Sequence, residues 1–193
     1  MTRSTNRTPR AAPLVLAALL PGCLSLPKGE APPVRTFEPG LPAPAAVGSA
    51  PPAPFRLGRV SAAEHLRERL VWRAGDGEVG FYDDLRWTEL PVRYLERALG
   101  DELHRRRAMP SEPPMAVLDV RLEAFEETLA PRSGVRVVVR GGVERRDGRR
   151  REVVAEVVRA RPTDDPLEVG AALGDALVEA VRTAVAEAAA ALR

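Results

Sequence analysis

Cys23 is the sole thiol of the 193 residues, His65 and His104 are the only histidines, and five of the eight aromatics crowd between Trp72 and Tyr94. A thiol can be acylated or oxidised or can ligate a metal, a histidine can ligate or carry a proton, and clustered rings can build a core or anchor an interface. Both histidines lie in charged stretches with no second His, no Cys and no carboxylate at ligand spacing, which reads as surface histidine and predicts no metal and no cofactor. Of the serines beyond the leader and spacer, Ser61, Ser111 and Ser133, none stands in a Gly-x-Ser-x-Gly elbow, and no Walker loop or dinucleotide fingerprint occurs. The expectation is a protein that is not an enzyme.

The setting of Cys23 favours acylation. Residues 1–10 carry Arg3, Arg7 and Arg10 and no acid, residues 11–20 are apolar apart from Pro13, and small residues follow, which is the order of a secretory signal peptide. The run Leu19-Leu20-Pro21-Gly22-Cys23 resembles a bacterial lipobox, with Pro21 where Ala, Ser or Thr is usual. The resemblance implies removal of residues 1–22 and lipidation of Cys23, and Leu24 in the following position implies an address on the periplasmic face of the outer membrane. Several acyl chains, each methylene contributing about 0.8 kcal/mol, hold a protein to a leaflet durably.

No apolar run approaches the roughly 20 residues a membrane helix needs, which argues against a channel or pump. The formal charge of +2 becomes −1 once three leader arginines are subtracted from 29 basic against 27 acidic groups. That balance gives no general nucleic-acid footprint. One local exception, Arg145, Arg146, Arg149, Arg150 and Arg151, could meet anionic head groups, although Glu144, Asp147 and Glu152 dilute it.

These residues need elements to position them. Residues 24–54 hold nine Pro, six Ala and three Gly without strand or helix periodicity, which predicts a disordered tether from Cys23 to Pro54 with Phe37 as a stray linker residue. Residues 55–193 form the predicted domain. Residues 55–60 alternate, 70–73 and 79–82 flank Gly75-Asp76-Gly77 as a hairpin, and 118–124 and 135–143 alternate again before the Asp147-Gly148 turn into 152–159. Thr88 is the expected cap of a helix with Pro91 in its first turn and Val92, Leu95, Leu99 and Leu103 on one face. Asp165, Pro166 and Glu168 open a second, Ala-rich helix containing Gly170 and Gly174, a spacing that hints at close backbone packing. The sum is an α+β two-layer sandwich, a mainly antiparallel sheet of five or six strands with two helices on one face. Trp72 and Phe81 are expected in the core, while Tyr82 and Trp87 are open between core and interface.

Leu70-Val71-Trp72-Arg73, Val79-Gly80-Phe81-Tyr82, Trp87 five residues after Tyr82, and Pro91 four after that, between a hairpin and a leucine-spaced helix, resemble the ABC-type transport auxiliary lipoprotein family, whose members include the PqiC-like lipoproteins. The resemblance implies an outer-membrane-anchored partner of an MCE-domain protein and ABC transporter components in an envelope lipid-transport system. It leaves self-association open. Tyr82, Trp87 and Pro91 are the candidate partner contact, because a rigid turn offering large amphipathic rings gives contact area at low entropic cost. The alternative is a structural or assembly lipoprotein of the envelope, partner to lipopolysaccharide transport or to a cell-wall synthase.

Overall fold

Alternating strands and two one-sided helices come together as a single sheet backed by a helical layer. The computed structural model describes residues 33–43, 46–48, 50–106, 116–161 and 165–193, all within one unit, Pro32–Arg193. The order is β1 (Arg35–Phe37), β2 (Phe55–Ala62), β3 (Arg69–Arg73), a 3-10 turn at Gly75–Gly77, β4 (Val79–Trp87), α1 (Pro91–Arg105), β5 (Ala116–Thr128), β6 (Gly134–Arg145), β7 (Arg150–Ala160) and α2 (Pro166–Ala190).

Strands β5, β6 and β7 form a long antiparallel meander, and the expected Asp-Gly turn joins the last two, with Gly148 at φ +81°. The other edge of β5 is shared end to end. Its first half pairs with β2 and its last residues with β3, both parallel, and β4 and β1 extend the sheet beyond β3. The α+β sandwich is as expected, and its sheet is mixed: β3–β4 and the β5–β7 meander are antiparallel, while β1, β2 and β3 bring in parallel pairs, so the antiparallel character is partial. The chain climbs along β2 and β3, descends β4, and crosses through α1 before it climbs again as β5, so β5 meets β2 and β3 running the same way. Local alternation carries no information about such non-local pairing.

Helix α2 packs on β6 and β7, and α1 packs beside α2 and against β2 and β5. The covered sheet face presents Leu118, Val120, Leu122, Val135, Val137, Val139, Val153, Ala155 and Val157, all buried. Against it lie Leu173, Leu177, Val181, Ala184 and Ala188 of α2, the stripe expected from the sequence, and Leu95 and Leu99 of α1. A bulge between Leu122 and Ala124 turns Phe125 into this layer and Glu126 to the free face. Helix α2 is capped as expected, the Asp165 carboxylate accepting from the Leu167 N–H at 3.0 Å. Helix α1 differs: Leu90 is its cap residue and accepts no side-chain bond, while the Thr88 hydroxyl pairs with the Tyr94 hydroxyl at 3.0 Å.

Part of the segment expected to be tether belongs to the fold. Phe37 is buried at the end of β1, Ala53 is buried just before β2, and the Phe37 carbonyl accepts from the Thr88 N–H at 3.2 Å. The reason lies in α2. A Cβ on Gly170 would come within 2.9 Å of the Phe37 ring, and one on Gly174 within 2.8 Å of the Gly40 carbonyl oxygen. The two glycines open the groove in which residues 37–40 lie.

Candidate functional site

Tyr82, Trp87 and Pro91 meet at one junction but not on one surface. Trp87 ends β4 and is 3% exposed, its ring 4.6 Å from Phe37, 5.0 Å from Phe125 and 5.9 Å from Tyr94 between centroids. Pro91 is buried at the start of α1. Trp87 belongs to the core, where tilted and edge-on rings add to the area it buries. Only Tyr82 is part-exposed. Its hydroxyl donates to Glu127 Oε2 at 2.7 Å, and the Arg161 guanidinium donates to the other oxygen of that buried carboxylate. Burial and the bond to Glu127 push the Tyr82 phenol well above its ordinary value.

The residue that reaches solvent is Phe81, 42% exposed, although the sequence placed it in the core. The cause is a register shift. Val71 pairs with Phe81 but Arg69 with Arg86, so β4 carries extra residues between them, and Phe81 lies on the opposite side of the strand from Leu85 and Trp87. A bulge of this kind has no signature in a short apolar run. Phe81 lines a shallow apolar hollow with His65 and Arg67 of the β2–β3 connection and Arg69 of β3. Trp72 is half-buried across Gly80.

The free face of the sheet is held by charge. Phe81, Val71, Glu126, Arg136 and Val158 follow one another across five strands. Glu126 is fully buried in this row because Arg73 grips it with two bonds of 2.6 and 3.1 Å while Arg136 donates at 3.0 Å and bonds Glu156 at 2.7 Å. Such forked pairs give direction as well as energy.

The arginines of the β6–β7 hairpin are dispersed. Arg145 donates to the Leu192 carbonyl at the end of the helical layer, Arg149 lies 3.7 Å from Asp147 at the tip, and Arg150 crosses the free face towards Asp119. Arg151 pairs in register with buried Val143 and so lies on the other side, and Arg146 is exposed at the tip. The five do not form one patch. Among the described residues, no cluster of three or more His, Cys, Asp or Glu could hold a metal, and no helix is long and apolar enough to cross a membrane. His104 is exposed, as expected, whereas the Nε2 of His65 is buried and meets no partner. Cys23 lies outside the described residues.

A mixed sheet, helices on one face and a charged, shallow second face define a two-layer α+β domain. The chain belongs to the ABC-type transport auxiliary lipoprotein component family, whose sequence model matches residues 36–192, and that span includes the buried Phe37. Family membership makes it an auxiliary lipoprotein of ABC-type transport, anchored in the cell envelope. Its fold is similar to the crystal structure of protein XCC0632 from Xanthomonas campestris, of family DUF330, at a TM-score of 0.67 and 17% identity over 81% of this chain and 95% of that one. It is also similar to that of an uncharacterized protein, at a TM-score of 0.56 and 12% identity over 83% and 99% of the two chains. None of the curated proteins is significantly similar to it.

Proposed function

We propose that the chain is a non-catalytic docking component of an MCE/ABC-type lipid transport system, anchored through lipidated Cys23 on the periplasmic face of the outer membrane. The family match over residues 36–192 is the observation that carries this reading. The charged n-region, the short apolar run and the lone Cys23 directly after them support the anchor. The partner contact belongs on β4, with Phe81 and Tyr82 as the accessible rings, while Trp87 and Pro91 are buried at the hairpin–helix junction that closes the same strand. An exposed aromatic on a rigid strand is the type of side chain that contributes most to an interface.

Affinity capture from envelope membranes with the intact lipoprotein, read by mass spectrometry of partners and of the mature N-terminus, tests the reading. MCE-domain and ABC components should be recovered with a diacylglyceryl-modified Cys23. Phe81→Asp should cut that recovery at least tenfold without unfolding the domain, since Phe81 is largely outside the core. Recovery of cell-wall synthases or lipopolysaccharide-assembly proteins in their place sinks the transport reading, and undiminished capture by Phe81→Asp sinks the contact.

A further inference from the structure

On the free face, at the end of the sheet away from Phe81, arginines gather around a hollow that neither the transport reading nor the partner contact uses. Arg59, Arg121, Arg140 and Arg150 line it, with Asp119 and Glu152. Arg121 of β5 and Arg140 of β6 are paired in register, so two like charges stand directly opposite each other, an arrangement that destabilises a sheet when nothing lies between them. Ser61 of β2 flanks Arg121 on its other side and brings no charge to relieve it.

The floor is shaped for access. Gly142 sits within a 12-residue strand, where glycine weakens the ladder, and such a position often marks close approach of another group. A Cβ there would lie 2.2 Å from the Arg150 guanidinium, so the bare backbone is what lets Arg150 lie across the strand.

Donor accounting then shows a surplus. Arg140 spends its Nε on Glu123 at 2.7 Å and approaches Glu152 only at 3.7 Å. Arg150 is 3.7 Å from Asp119 and 3.8 Å from Glu144, longer than hydrogen bonds. Asp119 already accepts the Arg59 backbone N–H at 2.8 Å, and the side chains of Arg59 and Arg121 have no carboxylate partner among the described residues. Each guanidinium carries five donors in a planar fork that fits the oxygens of a phosphate.

We propose that this hollow is a phosphate-binding site, which takes the phosphate of a lipid head group or free phosphate through Arg59, Arg121, Arg140 and Arg150. It does not rest on the transport reading, and a protein that bound phosphate here without any ABC partner would still bear it out. Arg59 and Arg121 are the specific contributors, because no carboxylate among the described residues holds their guanidinium groups, and Arg150 is the one the glycine admits.

The test uses the full chain in non-ionic detergent micelles, titrated calorimetrically with inorganic phosphate and, separately, with glycerophosphoglycerol, the head group of phosphatidylglycerol. Both should bind the native protein. Arg59→Gln/Arg121→Gln should weaken binding at least tenfold, Arg121→Lys should give an intermediate loss because the fork is gone while the charge stays, and Arg146→Gln at the hairpin tip should change nothing. Tighter binding of glycerophosphoglycerol identifies a lipid head group as the source, and tighter binding of inorganic phosphate identifies the free anion. The proposal is overturned if the double variant binds both probes as the native protein does, if neither probe binds, or if an oligoglutamate peptide binds here and phosphate does not displace it.

Discussion

The indole of Trp87 shows how a side chain suited to an interface can be absorbed by the fold. It fills the space between the sheet, α1 and β1, yet its Nε1–H is buried and meets no acceptor. Truncation of a buried Trp costs about 3–5 kcal/mol, so Trp87→Ala should shift the denaturant midpoint strongly, whereas Trp87→Phe keeps ring contact and deletes the unpaired donor. Equal midpoints for the native protein and Trp87→Ala would contradict the core placement. Tyr82 yields a pH prediction. Its folded pKa is raised above the unfolded phenol value of about 10, so the stability it contributes is complete below that value and is lost as the pH rises through the higher folded one. Tyr82→Phe should flatten the alkaline limb of the stability curve above about pH 10 and leave neutral pH little changed, as denaturation at graded pH would show. An alkaline limb as steep in the variant as in the native protein rules this out. The aromatic cluster was legible in the sequence as core or interface. Which rings face in was not, because the bulge that turns Phe81 outward depends on the strand it pairs with.

Among the elements, the helices and the β5–β7 meander follow from periodicity, capping and the Asp-Gly turn alone. Strand β1 does not, since three residues in a proline-rich stretch have no period, and its parallel pairing with β4 spans some fifty positions. The signal was present elsewhere: Gly170 and Gly174, one turn apart on α2, are the imprint of the backbone they receive. Glycine in a helix interior costs about 1 kcal/mol against alanine, so two of them on one face need a reason of packing. Gly174→Val should leave the helical circular dichroism unchanged while it expels residues 37–41 from the groove. Limited proteolysis should then cleave between Phe37 and Phe55 faster by an order of magnitude or more, and an unchanged cleavage rate would mean that the glycines do not hold the segment.

For the whole molecule, this docking sets how far the domain stands from its membrane. If the chain is anchored at Cys23 as proposed, only residues 24–34 separate the anchor from β1, a contour of at most about 40 Å at 3.6 Å per residue. A spacer that ran freely to Phe55 would allow about 110 Å. The difference decides whether a transport partner must come down to the leaflet or can be met well above it. Energy transfer from a dye attached near the hairpin tip to acceptors in the supporting leaflet distinguishes the two. The native lipoprotein should show a separation that does not exceed the shorter contour plus the depth of the domain. Gly174→Val should lengthen the mean separation, because a released segment gains the freedom of a Pro/Ala-rich coil. Equal transfer efficiency in the two proteins would mean that the packing of residues 37–40 against α2 does not control the reach.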